Sequence, residues 1–364
     1  MFPSFADHLG GNRPASATRP HCRGAVRPHL GGMPILSVLD LAPIPQGSEA
    51  GDALRNSADL AAHAEALGFN RYWMAEHHSM PGIASAATAV ALAFVGANTS
   101  TIRIGAGGIM LPNHAPLTIA EQFGTLEALY PGRVDLGLGR APGTDQAAAY
   151  ALRRNLQSDA NQFPQDVLEL QSYLRGGEQR VRAVPGEGMD IPLWILGSST
   201  FGAQLAAMLG LPYAFASHFA PGQMMDAINI YRDTFRPSEQ LAKPYLMLGF
   251  NVIAADSDEE AQLLATSIQQ AFVALRSGTP GKLPPPQAGF MDTLPLSARA
   301  MLDQFLSCSA IGSPDTVRRQ TQAFLDRTGA DELIVTAQIH DHQARRHSYQ
   351  LLAEAVMREP ALAA

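Results

Sequence analysis

The stretch IRIGAGGIMLPNHAPLTIAEQFGTLEALYPGRVDLGLG, Ile102–Gly139, reads as a strand, a helix and a second strand. IRIGAGGIML is short and apolar and carries three glycines. PLTIAEQFGTLEALYPG opens on a proline, which suits a first helical turn, and the Pro131–Gly132 pair ends it. RVDLGLG is again short and apolar. A helix between two strands is the connection that parallel strands require, since a tight turn joins only antiparallel ones.

The same alternation extends both ways. Upstream lie ILSVLDL (Ile35–Leu41), the helix DALRNSADLAAHAEALG stopping at Gly68, the strand NRYWMA, and the small-residue helix SAATAVALAFVGANT. Downstream, the strands are IPLWILG, LPYAFAS, YLMLGFNVIAA and DELIVTAQ, with amphipathic stretches between them and ARRHSYQLLAEAVM last. DSDEEAQLLATSIQQAFVALRSG begins with acidic residues, as a helix N-terminus prefers. Eight β–α units predict a closed (β/α)8 TIM barrel rather than an open doubly wound sheet. A long Pro/Gly-rich insertion, Ser277–Ser297, falls between strands seven and eight; loops of that length are often lids. Residues 1–32 lack apolar periodicity and an apolar signal core, and read as a non-catalytic extension. Met33 is a plausible start, and residues 33–364 form the barrel domain.

Of the 364 residues 46% are hydrophobic, enough for a large core. The net charge of −7 without a basic block argues against a nucleic-acid partner. No apolar run approaches the ~20 residues of a membrane span. Cys22 and Cys308 form neither a disulfide framework nor a zinc spacing, which suits a cytoplasmic protein.

A TIM barrel carries its site at the C-terminal ends of its strands. Strand two ends in Glu76-His77-His78, strand three in Gly107-Gly108 with His114 following, strand four in Gly139-Arg140, and strand six in Ser217-His218. Adjacent histidines in extended chain point to opposite faces, so His77 and His78 do not easily share an ion, and no metal is expected. Gly107 and Gly108 read as a place where a flat ligand meets backbone, or as a bulge at the rim. Gly197, Ser198, Ser199 and Thr200 open the fifth helix, where free N–H groups, hydroxyls and the helix dipole suit an anion such as phosphate; the same residues also cap ordinary helices. Arg140 either donates to that phosphate or makes a surface salt bridge.

LGFNRYWMAEHH, GGIMLPNHAPLTIAEQFGTLEALYPGRVDLGLGRAPGTD and WILGSSTFGAQLAAMLGLPYAFASHFAP resemble the bacterial luciferase-like flavin-dependent monooxygenases, in their single-subunit, uncharacterised branch. The resemblance runs from Ile35 to the last helix. It implies a barrel that uses reduced FMN, supplied by a separate flavin reductase, and O2 to oxidise a small organic substrate through a peroxyflavin intermediate. It implies His77 as the catalytic histidine, a non-proline cis peptide at Gly107–Gly108, and phosphate contacts from Arg140, Ser198, Ser199 and the start of the fifth helix. His218 is a further candidate for the pocket. The resemblance also implies a homodimer paired through helices near strands two and three. Gly139, Ser198 and Gly202 depart from luciferase itself at positions near the flavin. Two alternatives stay open: an F420-dependent dehydrogenase of the same superfamily, and a flavin-binding protein without turnover.

Overall fold

The computed structural model describes residues 33–141, 146–153, 160–177 and 180–357. The extension 1–32 lies outside the described residues. The strands are β1 Ile35–Asp40, β2 Arg71–Met74, β3 Arg103–Met110, β4 Val134–Gly139, β5 Leu193–Gly197, β6 Tyr213–Phe215, β7 Leu246–Ala254, β8 Ser309–Gly312 and β9 Glu332–Thr336. The helices are α1 Ala50–Leu67, α2 Thr88–Ala97, α3 Pro116–Leu129, α4 Gln146–Arg153, α5 Phe163–Arg175, α6 Thr200–Leu209, α7 Met224–Thr234, α8 Asp258–Arg276, α9 Leu296–Phe305, α10 Pro314–Thr328 and α11 His342–Val356.

β1 to β7 pair in sequence, all parallel, and β9 joins β7 to β1 to close an eight-stranded barrel. β8 is a ninth strand that the sequence reading does not contain. It exists because β7 outruns its barrel neighbours, and β8 pairs only with the overhang Asn251–Ala254. The helix ends follow local chemistry. Gly68 turns α1 off in a left-handed conformation and returns its N–H to the carbonyls of Ala64 and Glu65. Ser257 caps α8 by accepting from the Glu260 N–H at 3.1 Å. No helix among the described residues is long and apolar enough to cross a membrane.

Alternation along the strands divides two buried layers. One face packs on the helices; the other fills the barrel with Leu39, Trp73, Trp194, Tyr245, Met247 and Ile334. Trp73 meets Trp194 edge-on at 5.1 Å, and Trp194 meets Tyr245 at 5.7 Å. Beneath them the barrel is plugged by charge. Arg71 bridges Asp135 at 2.7 Å and Glu332 at 3.0 Å, and Arg103 adds a second cation to Asp135 at 2.6 Å. Burial pushes the Asp135 carboxyl up, but Arg71 and Arg103 outweigh it and hold the group below its usual range. Charge therefore fills the N-terminal end of the barrel, opposite the C-terminal strand ends.

The insertion lies at the C-terminal strand ends. Leu283 exchanges main-chain hydrogen bonds with the loop after β1: its N–H donates to the Ile44 carbonyl at 2.8 Å, and its carbonyl accepts from the Gln46 N–H at 2.8 Å. Lys282 Nζ donates to the Ser48 carbonyl at 2.6 Å.

Candidate functional site

Trp73 and Ala75 belong to the barrel interior, and His77 follows on the same alternation just past β2. Its Nδ1 is buried and has no hydrogen-bond partner. Burial pushes its pKa down, and the pull of Glu76 in the other direction does not restore it. The ring is therefore neutral at pH 7, with an unspent nitrogen.

His218 follows β6 and is built alike. Its Nδ1 is also buried without a partner. Burial, and then the proximity of His77, pull its pKa down to about 4. The structure thus brings together His77 and His218, from opposite sides of the barrel mouth, so that a charge on one opposes a charge on the other. Sequence reasoning missed what holds His218. Asn251, on the inward alternation of β7, donates from Nδ2 to the His218 carbonyl at 2.8 Å and leaves its Oδ1 buried and unpartnered. Ser217 Oγ donates to the Gly249 carbonyl at 2.6 Å. A lone asparagine in YLMLGFNVIAA, two residues after a glycine on the inward side, was the available signal.

Glu76 faces away from His77, as expected of a structural partner. Its buried Oε1 accepts from His78 Nε2 at 2.7 Å and from His114 Nε2 at 2.8 Å, while Oε2 accepts from the Met110 N–H at 3.2 Å. Burial raises its pKa, but these donors, His114 foremost, bring it below the usual carboxylate value. One carboxylate therefore ties the loop after β2 to the end of β3.

The peptide bond between Gly107 and Gly108 is cis, and the β3–β4 register shifts between Ala106 and Ile109. Main-chain packing excludes a side chain at Gly108, whereas at Gly107 the nearest atom is a side-chain methyl. A Cβ on Gly107 would lie 2.7 Å from a Leu39 methyl, and one on Gly108 would lie 2.7 Å from the Gly137 carbonyl oxygen. Neighbouring atoms thus already occupy the space a side chain would take. Gly139 differs, since its nearest neighbour is the flexible Met110 thioether at 3.0 Å.

Gly197 ends β5, Ser199 is the extended N-cap residue of α6, and Thr200 is its first residue. No side chain caps this helix. Ser198 is exposed and Ser199 and Thr200 partly so. Tyr213 Oη donates to the Ser199 carbonyl at 3.1 Å and steadies the turn. Arg140, after β4, lays its guanidinium 4.1 Å from the centroid of the Phe201 ring in the first turn of α6. A cation and an uncapped helix N-terminus thus lie side by side, chemistry suited to an anion. Part of the loop after β4 lies outside the described residues.

A family model for luciferase-like monooxygenases matches residues 35–332, and the chain belongs to that family. It is 55% identical over 317 residues to a luciferase-like monooxygenase of Escherichia coli K12, covering 86% of this chain and 95% of that protein. The solved structure of apo-MsnO8 is 36% identical, with a TM-score of 0.80 over 88% of this chain and 98% of its own. The fold also matches the FMN-bound oxygenating constituent of 3,6-diketocamphane monooxygenase from Pseudomonas putida, at 17% identity and a TM-score of 0.66, over 89% of this chain and 98% of that one.

Proposed function

We propose that the protein is an FMN-dependent monooxygenase that oxidises a small organic substrate. The observation that carries this reading is the pair His77 and His218, two neutral imidazoles whose buried Nδ1 atoms have no partner. A buried polar nitrogen left unpaired costs about 1–3 kcal/mol, so two at one barrel mouth point to groups that a bound ligand satisfies.

The residues fit FMN. The uncapped start of α6, with Ser198, Ser199 and Thr200, would take the phosphate, and Arg140 beside it would neutralise its charge. Backbone at the glycine-containing ends of β3 and β4 would receive the flat ring system. Reduced FMN supplies the two electrons of the reaction: one oxygen atom of O2 enters the substrate and the other leaves as water. His77 holds or releases a proton at the reacting edge, a role suited to an imidazole that stays neutral at pH 7. His218 faces the same mouth from the end of β6, and Glu76 fixes the loop from which His77 projects. The apolar interior below, with Trp73, Leu39 and Met247, keeps water from beneath the site.

A separate flavin reductase delivers the reduced cofactor. The chain pairs with a second copy through α2, whose Val90 and Phe94 are exposed at 74% and 46%. The test is substrate-free: under anaerobic conditions the protein is titrated with reduced FMN and, separately, with reduced F420. Stoichiometric binding of FMN supports the reading. Binding of F420 alone transfers the site to hydride chemistry, and binding of neither overturns both.

A further inference from the structure

We propose that Glu76, His78 and His114 form a binding site for one divalent transition-metal ion, zinc by donor chemistry, at the rim of the barrel. Two imidazole nitrogens and one carboxylate oxygen are a recognised zinc donor set, with a fourth position left for water. In this chain the three donor atoms, Glu76 Oε1, His78 Nε2 and His114 Nε2, lie within 4.8 Å of one another. They come from two segments, the loop after β2 and the turn after β3, so the fold and not local sequence assembles them.

The present contacts are hydrogen bonds of 2.7 and 2.8 Å. Donors around a tetrahedral zinc, at bond lengths near 2.0–2.1 Å, stand roughly 3.4 Å apart. The two contacts of Glu76 therefore have to lengthen by roughly 0.6–0.7 Å. The side chains allow it: those of His78 and His114 are 15% and 23% exposed, whereas that of Glu76 is 1% exposed and serves as the fixed point. The Met110 N–H on Oε2 orients the carboxylate, the supporting contact that metal ligands usually have. Zinc takes the place of the two Nε2–H donors, so each ring binds it through Nε2 and carries its hydrogen on Nδ1. Nothing is oxidised or reduced. His77 lies outside the cluster, and the site stands independently of the FMN reading.

The experiment uses the full chain, freed of metal with a chelator and titrated with zinc chloride against a chromophoric zinc indicator. Wild type should take up one tight equivalent. His114→Ala and His78→Ala should each weaken it by at least about 100-fold, the upper end of the loss seen when even a supporting partner of a ligand is removed. Thermal melts establish that the variants are folded, and Glu76→Gln, which keeps the side-chain shape, provides a third variant. Cobalt in place of zinc should give the intense visible bands of a tetrahedral ion in wild type and not in the variants. Absence of a tight equivalent overturns the proposal. So does zinc uptake that survives in all three variants, which would assign it elsewhere, as to His21 and Cys22 of the N-terminal segment.

Discussion

The imidazole of His218 occupies the space that a side chain at residue 249 would need: its Nδ1 lies 2.0 Å from where a Cβ on Gly249 would stand. Glycine on β7 is what lets His218 lie across the barrel mouth toward His77. Gly249→Ala should therefore expel His218 and destabilise the fold by about 1–3 kcal/mol, the usual cost of overpacking. Turnover should fall while affinity for flavin phosphate, held at α6, changes little. Urea denaturation and a flavin titration on the same variant check both; a variant with wild-type turnover would contradict the placement of His218 in the site.

His77→Ala should lower turnover by about 10²–10⁴-fold, the range for losing a positioned proton-transfer group, and leave FMN affinity within a few-fold. Steady-state rates with a reductase-coupled supply of reduced FMN, beside a binding titration, separate the two effects. Equal losses in both would make His77 a binding residue.

Arg140 is held by a ring as well as by its charge. Arg140→Ala should weaken FMN binding by about 10- to 100-fold, the worth of a hydrogen bond to a charged group. Arg140→Lys should recover only part, because an ammonium neither stacks on Phe201 in the same way nor offers two parallel donors. Riboflavin, which lacks the phosphate, should bind wild type and Arg140→Ala alike; a difference there would place Arg140 away from the phosphate.

Acid should weaken the fold through the same histidines. The folded-state pKa of His218 is about 4, against an ordinary 6.5, because burial and His77 disfavour its charged form. Between those values the unfolded chain binds the proton and the folded chain does not. This contribution is complete above about pH 6.5 and is lost as the pH falls toward 4, by up to about 3 kcal/mol. His77, lowered likewise, adds in the same direction. Denaturant unfolding of wild type and His218→Gln between about pH 7.5 and pH 4.5 tests this: the variant should lose less stability, and parallel losses would contradict it.

The plug at the other end of the barrel should matter for stability alone. Arg71→Ala leaves Asp135 and Glu332 buried with reduced compensation and should cost about 3–5 kcal/mol. Flavin affinity of the folded fraction should be unchanged, as measured by titration below the unfolding transition.

The barrel was legible because each unit repeats one pattern: a short apolar strand, then an amphipathic helix ended by glycine or proline. What escaped was short or set by tertiary contact. Ser309–Gly312 is four residues long and becomes a strand only because β7 overhangs its neighbours; α9 follows a proline-rich segment whose course is fixed by contacts with the loops after β1 and β2. At the site, His77 could be picked by alternation and by resemblance. The grouping of Glu76 with His78 and His114 could not, since His114 comes from the turn after β3 and meets Glu76 only in the folded barrel. Asn251 stood out only as a lone polar residue in an apolar strand; its partner, the His218 carbonyl, is set by tertiary contact.

The central claim is tested most directly by mixing the anaerobic complex of the protein and one equivalent of reduced FMN with oxygenated buffer, and following the return of oxidised-flavin absorbance. The account predicts a flavin that stays protein-bound and returns to the oxidised form much more slowly than free reduced FMN, with the delay shortened in His77→Ala. Reoxidation at the rate of free flavin, in wild type and variant alike, would contradict it.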